Sequence, residues 1–435
     1  MPARPLIAAS LLLCLGWPLA GSGQTPARAV EAKPLSLAQA EARLETANRE
    51  IIAAQRSLEI ASARVGVAGA VPNPTLSAQV SSINPIRGIG AGGIQNKQVD
   101  SVLHIDQLVE RGGKRELRIA SAESDVQAVR RDLAEIIRQQ RLAVQSAYFD
   151  LKLALEKRRI LADTARLQSE SLNAAERRLQ AGDASESEVV RFRVEALRSV
   201  NDARAAEADV ARAQQALAIL IGLDASYASI QPSDDWPSGL PLGSSAEPDP
   251  EQLKLRPDVQ AAQARVETAE RNRELARRLR TRDVTVGAQV ERFPPDPGLM
   301  YGMSVSVPLF VRYYFEGEIA QSEAELTASM AARDKTLALA QADVRRAQTD
   351  LLSAAERQRR LYDDLLPQAR RALDSAEFAY KNGATGLIDL LDARRTLRAL
   401  DLEAVTATGD FAKARAALLF ALAGSNFRPD ARPNP

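Results

Sequence analysis

Rings are scarce in this sequence: aromatic residues are 4% of 435, and histidine occurs once, at position 104. A thick globular core draws much of its buried area from Phe, Tyr and Trp, so this composition suits long thin helices better. One histidine and one cysteine leave no evident nucleophile–base pair and no His/Cys ligand cluster, which argues against an enzyme, a cofactor or a bound metal. Neither charge dominates. Lys plus Arg number 57 and Asp plus Glu 56, so there is no basic field to hold nucleic acid. Past the N-terminus no apolar run is long enough for a membrane-spanning helix, and any crossing would have to be made by β-strands.

The N-terminus reads as a secretory signal over residues 1–23, with Arg4 ahead of an apolar run from Leu6 to Leu15. Small residues place cleavage between 20 and 29, for instance after Ser22 or Gly23. Cys14 follows Leu13, where lipid attachment wants a small residue, so no lipid anchor is expected and the thiol leaves with the signal.

Apolar residues are plentiful, at 45%, and fall mainly at helical spacing. A first repeat spans 37–223. Its helix, from Leu37 to about Ala70, carries Leu44, Ile51, Leu58 and Val65 and stops at Val71-Pro72-Asn73-Pro74. Alternation then predicts strands over 75–83 and 99–108, joined by a Gly-rich loop. Glu110-Arg111-Gly112-Gly113-Lys114-Arg115 leads into a rod with Ile119, Ala122, Val126, Val129, Leu133 and Ile136 in 3-4 spacing. The rod ends at Gly182 after about 70 residues, or ~100 Å. Lys114 follows two glycines, but a P-loop's upstream glycine and following Ser/Thr are missing, so the motif reads as a strand-to-helix corner.

A linker rich in Pro, Ser, Gly and Asp is expected over 224–250. The second repeat, 251–424, has the same order: helix, strands at 283–293 and 299–308, and a helical hairpin with its tip at Gly383. Pro367 is expected to break or kink its rod. Residues 425–435 read as a disordered tail. The tip glycines, 182 and 383, are 201 residues apart, and other echoes between the halves have similar offsets.

Helix, strand, loop, strand, hairpin, repeated twice, puts both hairpins on one side of a membrane. Four strands cannot close a barrel and open edges are not tolerated in lipid, so the chain must oligomerise around a water-filled lumen. The fold class is α+β, mostly α, in a membrane setting. At the second tip, Asp389 and Asp392 share a helix face. Either they line an entrance or Asp389 is a helix-start acid and Asp392 a partner of Arg395. Glu188 completes a Ser185-x-x-Glu188 capping-box pattern, and Tyr380 can pack between adjacent helices. His104 shares a strand face with Asp100 and Asp106; a metal site needs three or four converging ligands, and polar residues are expected on a lumen face anyway, so it reads as ordinary lumen polarity.

The residues resemble the TolC family of outer-membrane efflux proteins over about Leu37 to Gly424. Asn73-Pro74-Thr75-Leu76 and the tip Y-K-N-G-A-T-G-L-I-D-L-L-D-A carry the likeness. Glu110 to Arg118 and Val307 to Arg312 look most like its cobalt–zinc–cadmium resistance branch. The resemblance implies a homotrimer with a twelve-stranded β-barrel continued by a twelve-helix periplasmic α-barrel, in the outer membrane of a Gram-negative bacterium. It implies a periplasmic adaptor docked on hairpin tips at Gly182, Gly383 and Gly386, an inner-membrane pump of the RND type, and export of heavy-metal cations or other toxicants. Asp389, Asp392, Tyr380 and Glu188 match periplasmic gate positions, whereas Thr385 stands where some members carry a clamp arginine. Alternatives are a type I secretion or drug-efflux channel, or a periplasmic coiled-coil adaptor or scaffold without lipid-facing strands.

Overall fold

Neither glycine nor proline interrupts residues 114–180, and that stretch is one helix of 67 residues in the computed structural model. At 1.5 Å per residue it is a rod of roughly 100 Å. The structure describes residues 33–93, 96–223, 230–241, 247, 249–296 and 298–422. The expected signal and tail lie outside the described residues, as does part of the expected linker.

In chain order the first half comprises β1 (Lys33–Leu35), α1 (Leu37–Ala47), α2 (Arg49–Ala68), β2 (Thr75–Ser81), β3 (Asp100–Val109), the rod α3 (Lys114–Gln180) and α4 (Glu186–Leu220). After β4 (Ile230–Pro232) come α5 (Pro250–Leu253), α6 (Pro257–Arg278), β5 (Val284–Arg292), β6 (Met300–Ser306), α7 (Glu316–Arg360), α8 (Leu366–Lys381) and α9 (Leu387–Leu422).

The expected single helix from Leu37 to Ala70 is two. Asn48 separates them, its side chain accepting from the amides of Glu50 and Ile51 while its own amide donates to Leu220 O at 2.9 Å. Strand ends shift for local reasons. Ser82, at φ 60°, ends β2 before residue 83, and β6 stops short of Pro308, which has no amide to offer a ladder.

The expected linker contains structure. β4 pairs in parallel with β1, and α5 is a short turn capped by Asp249. The fully buried Tyr148 holds β1 and the end of β4 to the rod: its hydroxyl donates to Leu35 O at 3.0 Å and accepts from the amides of Ser233 and Asp234 at 3.1 Å. Trp236 stacks on Phe149 at 6.0 Å between ring centres and donates to Glu156 at 2.6 Å. Local composition shows polar punctuation; it does not show the distant anchors.

The interruption expected at Pro367 is a local one, and the rod continues past it. A π-helical turn, Leu361–Leu365, joins α7 to α8 and widens the backbone just before the proline ring. Along α7 the stripe Ala340, Val344, Ala347 and Leu351 is buried against Phe411 and Leu418 of α9. Leu44, Ile51, Val144, Tyr148 and Leu217 form the matching core of the first half.

One antiparallel sheet joins the halves in the order β2-β3-β5-β6. Its register aligns Leu76, Ile105, Ala288 and Met303, and next to them Ala78, Leu103, Val290 and Tyr301, on one face. Directly opposed residues share a face, so this is a continuous apolar band. Met303 is 86% exposed and Leu76 66%. The other face carries Ser77, His104 and Gln289, then Thr75, Asp106 and Ser304. Both outer strands keep an unpaired edge among the described residues.

Where sheet meets rod, Lys114 is buried and donates to Asp283 at 2.9 Å and to Thr281 O at 2.8 Å. Arg111 donates its amide to the other Asp283 oxygen at 2.9 Å. Gly112 lies against the Thr281 side chain, where a methyl would come within 2.9 Å of it. The glycine pair and lysine thus form a seam between the two repeats.

Candidate functional site at the hairpin tips

Both hairpin tips are built the same way. Gly182 (φ +83°) and Gly383 (φ +70°) take the left-handed conformation that ends a helix. After each, the chain folds back: Asp183 donates to Arg178 O and Ala384 to Ala379 O, both at 2.8 Å. Gly386 directly precedes α9, has an ordinary φ, and a methyl there would meet nothing within 4 Å.

The tips meet through side chains. Tyr380 of α8 donates its hydroxyl to Glu188 of α4. Ser185 Oγ accepts from the Glu188 amide at 3.2 Å, so half of the capping-box pattern is made; the Glu188 carboxylate turns to Tyr380 instead of completing it. Arg178, in the last turn of α3, donates to the Tyr380 hydroxyl at 3.0 Å and lies 3.6 Å from the Glu188 carboxylate. Its other nitrogen donates to Asp183 O at 3.1 Å, tying the cation to its own tip turn. Partial burial pushes the Tyr380 phenol above its ordinary range; the Glu188 carboxylate pushes it further and Arg178 opposes.

Arg178 lies in the upstream tip sequence, yet spacing gives it no role. The signal is its position four residues before the tip glycine, in the turn where a cation also suits the helix dipole. Thr385, the position of the missing arginine, is exposed; the guanidinium here comes from the other hairpin.

Asp389 and Asp392 are both exposed on α9. They differ in company. Asp392 stands 3.4 Å from Arg395, whereas Asp389 has no ion pair or side-chain hydrogen bond among the described residues. Arg395 also pairs with the buried Glu195 of α4, and Arg398 with Asp202 on the same helix. Arg394 donates to Ser171 of α3 and to Glu377 of α8, each at 3.0 Å. A ladder of three arginines on α9 therefore continues the tip contact along the rods. A cavity of about 470 Å³ opens beside it, lined by Glu195, Glu377, Arg394, Arg398 and Asp401. Burial raises the Asp401 carboxyl above the usual carboxylate range, partly offset by Arg370. Beneath the ladder, Ala175, Val189, Phe192 and Leu391 form a small apolar cluster.

This is a set of charge-assisted bonds between two hairpins, able to hold or release them, beside an outward-facing pair of carboxylates. Among the described residues no helix is long and apolar enough to cross a membrane.

Comparison with known proteins places the fold. The chain is 25% identical over 376 residues to the cobalt-zinc-cadmium resistance protein CzcC of Cupriavidus metallidurans, covering 84% of each. It is 26% identical over 381 residues to the pyoverdine export outer membrane protein OpmQ of Pseudomonas aeruginosa, covering 82% of this chain and 78% of that one. The Campylobacter jejuni CmeC outer membrane channel shares the fold, with a TM-score of 0.75 at 17% identity over 91% of this chain and 87% of that one. The outer membrane efflux protein model matches residues 42–223 and 250–424, both halves of the duplication. The chain thus belongs to the outer membrane efflux protein family, that of TolC.

Proposed function

We propose that three copies join β6 of one to β2 of the next, closing a twelve-stranded barrel whose apolar band faces lipid and whose polar face lines a lumen. The carrying observation is the register: four strands present one continuous apolar face and one polar face, with both outer edges unpaired. Closure would satisfy those edges, which lipid cannot. The rods would then extend the lumen into the periplasm as a twelve-helix tunnel, with the tips at its mouth.

The function is passive conduction in a tripartite efflux system. Three copies of Asp389 and Asp392 would ring the mouth, repelling one another and favouring cations, while the Tyr380 latch and the arginine ladder oppose dilation. A periplasmic adaptor docking near Gly182, Gly383 and Gly386 would separate the hairpins, and an RND-type inner-membrane pump would supply the work. Heavy-metal cations are the first cargo in this reading, supported by the similarity to CzcC. Organic compounds are the second, as the likeness to OpmQ suggests.

The test is reconstitution. Detergent-extracted protein should run as a trimer and form discrete conducting channels in planar bilayers; a monomer without conductance would sink the proposal. Cargo is then read from a deletion strain challenged with cobalt, zinc, cadmium, copper and a small antibiotic panel.

A further inference from the structure

The polar face of the sheet holds the chain's one histidine, and the strand register brings two oxygen donors to it. Asp106 lies two residues along β3, and Ser304 arrives from β6, beyond β5. His104 Nε2 stands 3.0 Å from Asp106 Oδ1 and 3.2 Å from Ser304 Oγ. Donors around a tetrahedral zinc ion, each bonded at ~2.1 Å, lie about 3.4 Å apart. The two separations observed are within a few tenths of an ångström of that.

Gly287 makes the convergence possible. It sits in register between Asp106 and Ser304, and a methyl on it would fall no more than 2.5 Å from His104 Nε2, Asp106 Oδ1 and Ser304 Oγ alike. One point above the β5 backbone is therefore close to equidistant from all three donors. Reflected through the plane of those donors, it gives a second point with the same three distances. That second point lies on the far side of the three donors from the Gly287 backbone.

We propose that His104, Asp106 and Ser304 form a weak transit site for a borderline divalent transition cation at that outer point, with water completing the shell. An imidazole nitrogen with a carboxylate suits zinc and cobalt better than calcium or magnesium. Among the described residues no three His, Cys, Asp or Glu side chains gather to hold a metal, so the third donor is a hydroxyl and the affinity is low. Weak binding fits a conduit, since a cation held tightly would plug it. Histidine count alone argues for no metal ligand, because Ser304 is 200 residues away in sequence. The proposal rests on the reading that this face lines the lumen.

The experiment uses the full detergent-purified oligomer in an Asp389→Asn/Asp392→Asn background, so that tip carboxylates do not contribute. Zinc is measured by equilibrium dialysis, and cobalt by its visible absorption. Saturable zinc binding near one ion per chain is expected, weakened at least about tenfold by His104→Gln and less by Ser304→Ala. Asp106→Asn, close in shape, is the second variant, with oligomer size as the folding check. Absent saturation, or binding unchanged in both His104→Gln and Asp106→Asn, would overturn the site and leave the imidazole as filler for the Gly287 slot. Conductance separates the two readings. Channels that conduct without zinc binding retire the site alone, whereas histidine-dependent binding without conductance retires the channel reading.

Discussion

The Arg178 guanidinium and the Tyr380 hydroxyl, 202 residues apart in sequence, meet at 3.0 Å and join the two hairpin tips through Glu188. The hydroxyl accepts from the cation and donates to the carboxylate, so one oxygen holds both. Tyr380→Phe removes both bonds and keeps the ring. Arg178 is about half exposed, so screening limits the pair to about 1 kcal/mol, or roughly fivefold in an open-to-closed ratio. Single-channel recording of Tyr380→Phe should show a rise in open occupancy of that order. Arg178→Ala added to Tyr380→Phe should give less than the sum of the single effects, because the two share a contact. Full additivity would mean that they act separately.

The latch also has a pH signature. Its phenol is raised in the folded protein, so the protonated form is the one that the native contact favours. The contribution is fully present below the ordinary phenol range near ~10 and is lost as pH climbs through the higher folded value. Conductance should therefore stay flat through neutral and mildly alkaline pH and rise only beyond that range. Tyr380→Phe should abolish the alkaline rise. A rise near neutrality would assign the titration to another group.

The two tip carboxylates, which the proposed function sets at the entrance, should not be equivalent. Arg395 stands 3.4 Å from Asp392, while Asp389 has no such neighbour among the described residues. Neutralising Asp389 removes an uncompensated charge; neutralising Asp392 also frees Arg395 to pair more fully with Glu195. Block by a multivalent cation should weaken more in Asp389→Asn than in Asp392→Asn, and both differences should shrink at high salt. Equal effects would show that the Arg395 pair does not persist in the channel.

Much of this architecture was legible because it rests on local periodicity. Alternation at Thr75–Ser81 and Met300–Ser306, the 3-4 stripe through Val344 and Leu351, and the tip glycines are each visible within a short window. Contacts that cross the duplication were not. Arg395 meets Glu195 and Arg398 meets Asp202 because two rods pack side by side, Tyr148 meets Ser233 because the linker folds back onto the rod, and no local pattern encodes those pairings. Pro367 was legible because its rule is local: the α-helix is interrupted just before it, by one wide turn, and the rod then continues. Asp389 and Glu188 stood out as residue types at tips, whereas Arg178 becomes meaningful only when Tyr380 is seen beside it.

The seam between sheet and rod should be a stability element separate from gating. Lys114 is nearly buried, and its ammonium is shared between Asp283 and Thr281 O. Asp283→Asn strips the counter-charge and leaves that ammonium inside. Breaking a buried pair from one side costs about 3–5 kcal/mol, reduced here to roughly half because Asp283 is 23% exposed. Lys114→Met leaves a carboxylate still held by the Arg111 amide and should cost less. Combining the two removes both charges and should recover part of the loss. Denaturant unfolding followed by circular dichroism, alongside single-channel recording, distinguishes the cases. Lower stability with unchanged open occupancy is expected; altered gating would place the seam in the switch.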